Sequence, residues 1–203
     1  MPLWRSPHPL VLASKSLARR HMLVAAGIPV EATPADIDER AVEETLHDVK
    51  SAGDIALHLA REKAKAVALR MPERLVIGAD QTLAMGTQRF SKPANIDDAR
   101  AQLRALRGKT HTLHSAVALI RDGELLFQHE EAARLTMRAV SDAFLEIYLE
   151  AADATVTESV GGYQLERTGI HLFERVEGDH FTILGMPLLP LLDALRRLGF
   201  LAG

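Results

Sequence analysis

The dipeptide Asp122-Gly123 stands between two long strand-like runs, Thr110 to Arg121 and Glu124 to Met137. Asp-Gly supplies the positive-φ residues of a tight two-residue turn, so the two runs are expected to pair as an antiparallel hairpin. The chain before them has a different rhythm. Short apolar runs predict strands at Leu10 to Ala13, Val30 to Thr33 and Leu75 to Ala79, and helical periodicity predicts helices at Leu17 to Ala26 and Gly53 to Arg70. After the hairpin come a strand at Gly169 to Val176 and helices at Ser141 to Glu150 and Pro187 to Leu198, with a further helix at Ile96 to Leu106 before it. Early alternation plus a central antiparallel pair implies an α/β fold with a mixed sheet flanked by helices. Glu39 to Gly53 and Val156 to Thr168 read as mobile loops, and no internal repeat or low-complexity tract appears.

Length and charge limit what this fold can serve. With 203 residues, the chain can build one good-sized core, or two small lobes sharing one. A net charge of −3 gives no basic field for a nucleic-acid backbone. No stretch approaches a membrane span, and Met1 to Pro9 lacks the continuous apolar run of a secretory signal. The absence of cysteine excludes a thiolate nucleophile and a disulfide framework, and points to the cytoplasm.

Two segments look like the halves of a phosphate site. In the first, the apolar run Leu10 to Ala13 leads through Ser14 and Ser16 into a helix, with Ser16 as its expected N-cap. Arg19 and Arg20 lie in or near that first turn, where cations oppose the helix dipole unless an anion joins them. A solvated arginine pair on an amphipathic helix would look the same. In the second, the apolar run Leu75 to Ala79 ends in Asp80, followed by Gln81 and Thr82. A carboxylate at the carboxyl end of such a strand is well placed for chemistry, although a turn aspartate would read alike. Lys63 falls on the apolar stripe of the Ile55 to Leu69 helix, between Leu59 and Val67. It either snorkels to solvent or points into a cleft, where it would hold a phosphate.

Other patterns carry no site. Gly108-Lys109-Thr110 copies the tail of a phosphate-binding loop, but Leu103 stands where its upstream glycine belongs. His111 and His114 are three apart in a strand, hence on opposite faces. His171 and Phe173 are expected in packing, Tyr163 is a candidate to stack on a base, and Leu188, Leu191, Leu192 and Leu195 form a core or dimer face.

The ordered blocks Leu12-Ala13-Ser14-x-Ser16-x-x-Arg19-Arg20, Pro34 to Glu39, Ala60-Arg61-Glu62-Lys63-Ala64, Gly78-Ala79-Asp80, Lys92-Pro93 and Gly185-x-Pro187-Leu188 resemble the Maf family of nucleoside triphosphate pyrophosphatases. The likeness runs from about Leu10 to Leu198, nearly the whole chain. It implies one domain over residues 1–203, of two lobes with a central cleft, similar to inosine triphosphate pyrophosphatases. It further implies a cytoplasmic homodimer that needs Mg²⁺ or Mn²⁺ and cuts a nucleoside triphosphate to monophosphate and pyrophosphate. In the family's terms Asp80 is the base, a metal ligand or both, Glu39 is a second carboxylate for metal or water, and Ser14, Arg19, Lys63 and Lys92 clamp phosphate. Arg20 stands in for an arginine that many members carry in a Ser-Pro-Arg-Arg sequence, here Ser16-Leu17-Ala18-Arg19.

Gln81 and Glu166 resemble the subgroup acting on 7-methyl-GTP. A carboxylate can accept from guanine N1–H and the 2-amino group, whereas a pyrimidine 4-carbonyl offers it only another acceptor. That subgroup carries an aromatic residue where Ala18 stands, so another purine, or broad specificity, is the competing expectation. The family resemblance also includes inhibition of septum formation, an alternative role exercised through a binding partner.

Overall fold

Backbone pairing in the computed structural model, which describes residues 2–44 and 51–203, gathers the strands into one mixed sheet of seven. Parallel strands β1 (Leu10–Leu12) and β2 (Val30–Ala32) form one margin, and β1 also pairs in parallel with β3 (Val76–Met85). β5 (Thr110–Arg121) runs antiparallel to β3, and β6 (Glu124–Met137) antiparallel to β5 through the expected turn, with Asp122 and Gly123 both at positive φ. Short β7 (Phe173–Glu177) closes the far margin, and β4 (Gln88–Phe90) folds back on the end of β3.

Helix α3 (Ala52–Ala68) covers one face of the sheet. Its Ala56, Ala60 and Ala64 pack on Val11, Val76, Ala116 and Ala118, small residues that let helix and sheet come close. Gly78 marks the closest approach, since a Cβ there would lie 2.0 Å from the Ala60 carbonyl oxygen. The opposite face holds two separate apolar clusters. Helices α1 (Leu17–Ala25) and α7 (Leu188–Arg197) bury Met22, Leu23, Leu188 and Leu191 over Leu12, Ile77 and Val117. Helices α4 (Ile96–Leu106) and α5 (Asp142–Ala152) bury Leu103, Leu145 and Leu149 over Leu83, Leu113 and Leu135. Between the clusters the strands present Gln81 and Ser115, a polar seam bridged by the short helix α6 (His180–Ile183).

Several expectations are corrected. β3 does not stop at Ala79 but continues to Met85, so Asp80 lies within a strand and not at its end. Polar Asp80, Gln81 and Thr82 read as a turn, but each side chain is bonded within the fold, to Lys63, to Ser115 and to the Ala52 carbonyl respectively. Glu39, expected in a loop, begins the helix α2 (Glu39–Glu44), while residues 45–50 of that expected loop lie outside the described residues. The expected loop from Val156 to Thr168 is irregular with short 3₁₀ turns, and Val156, Val160, Tyr163 and Leu165 are buried in it. Gly169 to Leu172 is likewise 3₁₀, the strand beginning only at Phe173. Leu188, Leu191 and Leu195 are core.

Candidate active site

The site forms where one edge of β3 loses its neighbour. β1 pairs with β3 only as far as Ile77, the last bond running from Ala13 N–H to the Ile77 carbonyl at 2.8 Å, and β4 takes up the same edge at Leu83. The stretch between them is bare of strand pairing, and a buried carbonyl without a partner there would be costly. Arg19 fills this need, donating from Nη1 to the Ala79 carbonyl at 2.9 Å and from Nε to the Gly185 carbonyl at 2.9 Å. It reaches inward from the first turn of α1, whose N-cap Ser16 accepts from the Arg19 backbone N–H at 3.4 Å. Ser14 Oγ accepts from Arg19 Nη1 at 3.3 Å and from Ser16 N–H at 3.2 Å, so its own proton is left to donate.

Asp80 sits on the α3 face of β3 and Lys63 on the buried face of α3, both less than a tenth exposed. Lys63 does not snorkel. Its Nζ lies 2.6 Å from Asp80 Oδ1 and 2.7 Å from Glu39 Oε1, the latter carried in by the first residue of α2. Burial pushes the Asp80 carboxyl above its ordinary pKa, opposed by the positive charges of Lys63 and Arg19. Burial lowers the Arg19 pKa, with Asp80 and then Glu39 holding it up. Lys92, an exposed residue between β4 and α4, is held below the ordinary lysine pKa by the protein packed around its ammonium and then by Arg19, with Glu39 opposing. These couplings place Lys92 in the same electrostatic field as the buried pair.

The structure therefore brings together Ser14, Arg19, Glu39, Lys63, Asp80 and Lys92. Arg20, one residue round the helix, is exposed and shares none of these contacts. Glu166 is exposed too and forms no ion pair with any described residue. Gln81, next to Asp80 in a strand, faces the other side of the sheet. Its Nε2 donates to Ser115 Oγ at 3.0 Å and to the carbonyls of Thr182 at 3.2 Å and Ile183 at 3.0 Å. Its carbonyl oxygen accepts from no described residue.

Tyr163 is not available to stack on a base. It is buried, with Oη 2.6 Å from His111 Nε2 and its ring edge-on to Phe173. His111 and His114 do lie on opposite faces, His114 pairing with Glu130 at 2.8 Å. Phe173 packs as expected, whereas His171 is exposed. Two supporting residues escaped the sequence reading, Ser115 and Thr182, while Gly185 entered it only within the block Gly185-x-Pro187-Leu188. The signal for Ser115 was a hydroxyl at the head of the apolar run Ala116 to Ile120.

Among the described residues, no group of three or more His, Cys, Asp or Glu converges on a cation position. Asp80 and Glu39 do converge, since both touch one ammonium. Two carboxylates fit a hard divalent cation whose remaining ligands are water and phosphate oxygens. No helix among the described residues is long and apolar enough to cross a membrane.

The sequence pattern of the family described as Maf-like protein matches residues 9–198. A nucleoside triphosphate pyrophosphatase of Rhodopseudomonas palustris (strain BisB18) is 54% identical, covering 100% of this chain and 100% of the relative. A 7-methyl-GTP pyrophosphatase of Mesorhizobium japonicum is 50% identical over 96% of this chain and 98% of its own. Among solved structures, a HAM1 protein from Coxiella burnetii overlays with a TM-score of 0.42 at 16% identity, covering 65% of this chain and 74% of that one. With nearly its whole length matched by the family pattern and half its residues shared with full-length relatives, the chain belongs to the Maf-like family.

Proposed function

We propose that this chain hydrolyses the α–β phosphoanhydride of a nucleoside triphosphate, releasing a nucleoside monophosphate and pyrophosphate. The observation that carries this reading is the cluster at the bare edge of β3, where the buried Asp80 carboxylate pairs with Lys63 from α3 and lies in the field of Arg19 from α1, with Lys92 of the segment after β4 coupled to the same groups. The named activities of the full-length relatives agree with it. Water attacks the α-phosphorus, the bond to the bridging oxygen breaks, and Asp80 accepts the proton of the attacking water. Burial suits Asp80 to this task, because a carboxyl raised above the ordinary range is a stronger proton acceptor. Lys63, Arg19 and Lys92 meet the charge that grows on the departing pyrophosphate, and Ser14 Oγ donates to a phosphate oxygen. A Mg²⁺ or Mn²⁺ ion held by Asp80 and Glu39 would add charge neutralisation and an ordered water.

The base is proposed to be a guanine, 7-methylated guanine first, read by Glu166 and by the free carbonyl oxygen of Gln81. The fixed Nε2 of Gln81 supports this, since the three acceptors around it aim the amide one way only. A homodimer, a cytoplasmic location and a two-lobed single domain belong to the same reading on family resemblance alone.

The test is product analysis with Mg²⁺ against 7-methyl-GTP, GTP, dTTP, UTP and CTP, separating pyrophosphate from phosphate release. Pyrophosphate with monophosphate, fastest from the methylated guanine, is expected. Preference for a pyrimidine overturns the base assignment, and no turnover of any of the five overturns the reaction.

A further inference from the structure

Lys63 holds two carboxylates with one ammonium, at 2.7 Å from Glu39 and 2.6 Å from Asp80. We propose that in the nucleotide-free protein the Lys63 ammonium occupies the place between Glu39 and Asp80 that a divalent cation requires. The cation therefore enters with the nucleotide, whose phosphates draw Lys63 away. This rests on the pyrophosphatase reading only for the identity of the ligand that moves Lys63.

Three features carry the inference. The first is space. Mg²⁺ takes carboxylate oxygens at about 2.0–2.1 Å, so an ion shared by these oxygens would fall within a few ångströms of the ammonium, and at that range the two cations repel strongly. The second is restraint. Asp80 is fixed in the central part of β3 and Lys63 is mid-helix in α3, and both are buried, while Glu39 is about half exposed at the start of a six-residue helix. The ion pair is thus seated on a buried face between two long elements, α3 of 17 residues and β3 of 10, and a bare cation would have to break it to gain only two protein ligands.

The third is charge. Lys63 pairs with both carboxylates, and Arg19, bonded to the Ala79 carbonyl beside Asp80, brings a second cation, so positive charge already balances the pair. A bare dication tips the site to a positive excess. A metal-bound nucleoside triphosphate is a net anion and opposes it. Its oxygens also give the Lys63 ammonium new acceptors beside Arg19 and Lys92, which frees both carboxylates for the metal.

The measurement is Mn²⁺ binding to the nucleotide-free protein, read by the paramagnetic resonance of free Mn²⁺, in wild type, Lys63→Met, Lys63→Gln and Lys63→Arg. The neutral variants are expected to bind Mn²⁺ at least about tenfold more tightly than wild type, with Lys63→Arg close to wild type. Adding Glu39→Gln to Lys63→Met should take most of the gain away. Unchanged or weaker binding in both neutral variants overturns the proposal. If circular dichroism shows that neither neutral variant folds, the wild type decides by its melting temperature. Mn²⁺ with inorganic pyrophosphate should then raise Tm beyond the sum of their separate effects, and a rise from Mn²⁺ alone equal to that from both overturns the proposal. Because no step here needs turnover, failure of the competition leaves the pyrophosphatase reading standing, and absence of turnover leaves the competition measurable.

Discussion

His111 gives the sharpest quantitative handle on this fold. It is 1% exposed, its Nε2 bonds Tyr163 Oη at 2.6 Å, and its Nδ1 has no hydrogen-bond partner. Burial lowers its pKa from 6.5 to about 4. Between those values the unfolded chain holds a proton that the folded chain does not, so the unfolding free energy rises with pH. The contribution is whole above pH 6.5 and is lost as pH falls through the folded value of about 4. At ~1.4 kcal/mol per pH unit the interval amounts to about 3 kcal/mol. His111→Phe removes the titration while keeping a ring in place. Near neutral pH it should cost about 1–3 kcal/mol for the unpaired Tyr163 hydroxyl, partly offset by removal of the orphaned Nδ1. Urea unfolding of both proteins at a series of pH values, followed by circular dichroism, gives the difference directly, and the other titrating groups largely cancel in it. The variant should gain about 3 kcal/mol on wild type from neutral pH down to pH 4. A difference constant to within about 0.5 kcal/mol over that range would refute the account of the buried imidazole.

Four further outcomes are expected. Asp80→Asn should lower kcat about 10²–10⁴-fold and abolish an acid limb of kcat/KM lying above the ordinary aspartate range, with activity lost as pH falls through it; a wild-type limb at an unshifted carboxylate pKa counts against burial as the cause. Gly78→Ala puts a methyl 2.0 Å from the Ala60 carbonyl and must push α3 off β3, parting Lys63 from Asp80, so thermal melting and pyrophosphate release should both fall well beyond the effect of an ordinary surface change. Gly185→Ala places a Cβ 3.3 Å from Arg19 Nε at a φ of +103°, so a lowered melting temperature from the strained backbone is expected together with a raised KM from the displaced Arg19, and an unchanged KM counts against the clamp. Glu166→Gln should lower the ratio of kcat/KM for guanine over uridine nucleotides; an unchanged ratio removes Glu166 from base reading.

The fold was legible where local chemistry decided it. Asp122-Gly123 required a positive-φ turn, and Ser16 was placed to cap α1, so both features follow from a few neighbouring residues. Legibility failed where tertiary contacts decide. Asp80 reads as the end of a strand because nothing local says that β5 will pair beside it, yet the Asp80–Ala116 register carries β3 onward. Val156 to Thr168 has the polar and glycine content of a mobile loop, but its intervening apolar residues find a core in the cluster around Leu103 and Leu145. Tyr163 looked free for stacking because its partner His111 is distant in sequence. Lys63 and Asp80 meet as their local patterns suggested, Glu39 and Lys92 were named by family resemblance and by no local signal, and Arg20, taken as the stand-in for a family arginine, lies apart because adjacent helical positions face different ways.

The division of labour within the site follows from strand geometry. Asp80 and Gln81 are neighbours, so the pleat sends them to opposite faces, Asp80 towards Lys63 on α3 and Gln81 towards the carbonyls of α6. A single strand can thus face the proposed phosphate site on one side and a polar seam between two apolar clusters on the other. This makes the register of β3 against β5 a functional quantity. A slip by one residue would bury Gln81 against Lys63 and turn Asp80 towards the Thr182 carbonyl, pairing acceptor with acceptor. Apolar residues on both faces, Ile77 and Leu83 on one and Val76 with its small neighbours on the other, oppose that slip. Fixing the Asp80 carboxylate is therefore the work of the whole sheet, not of the contacts that Asp80 itself makes.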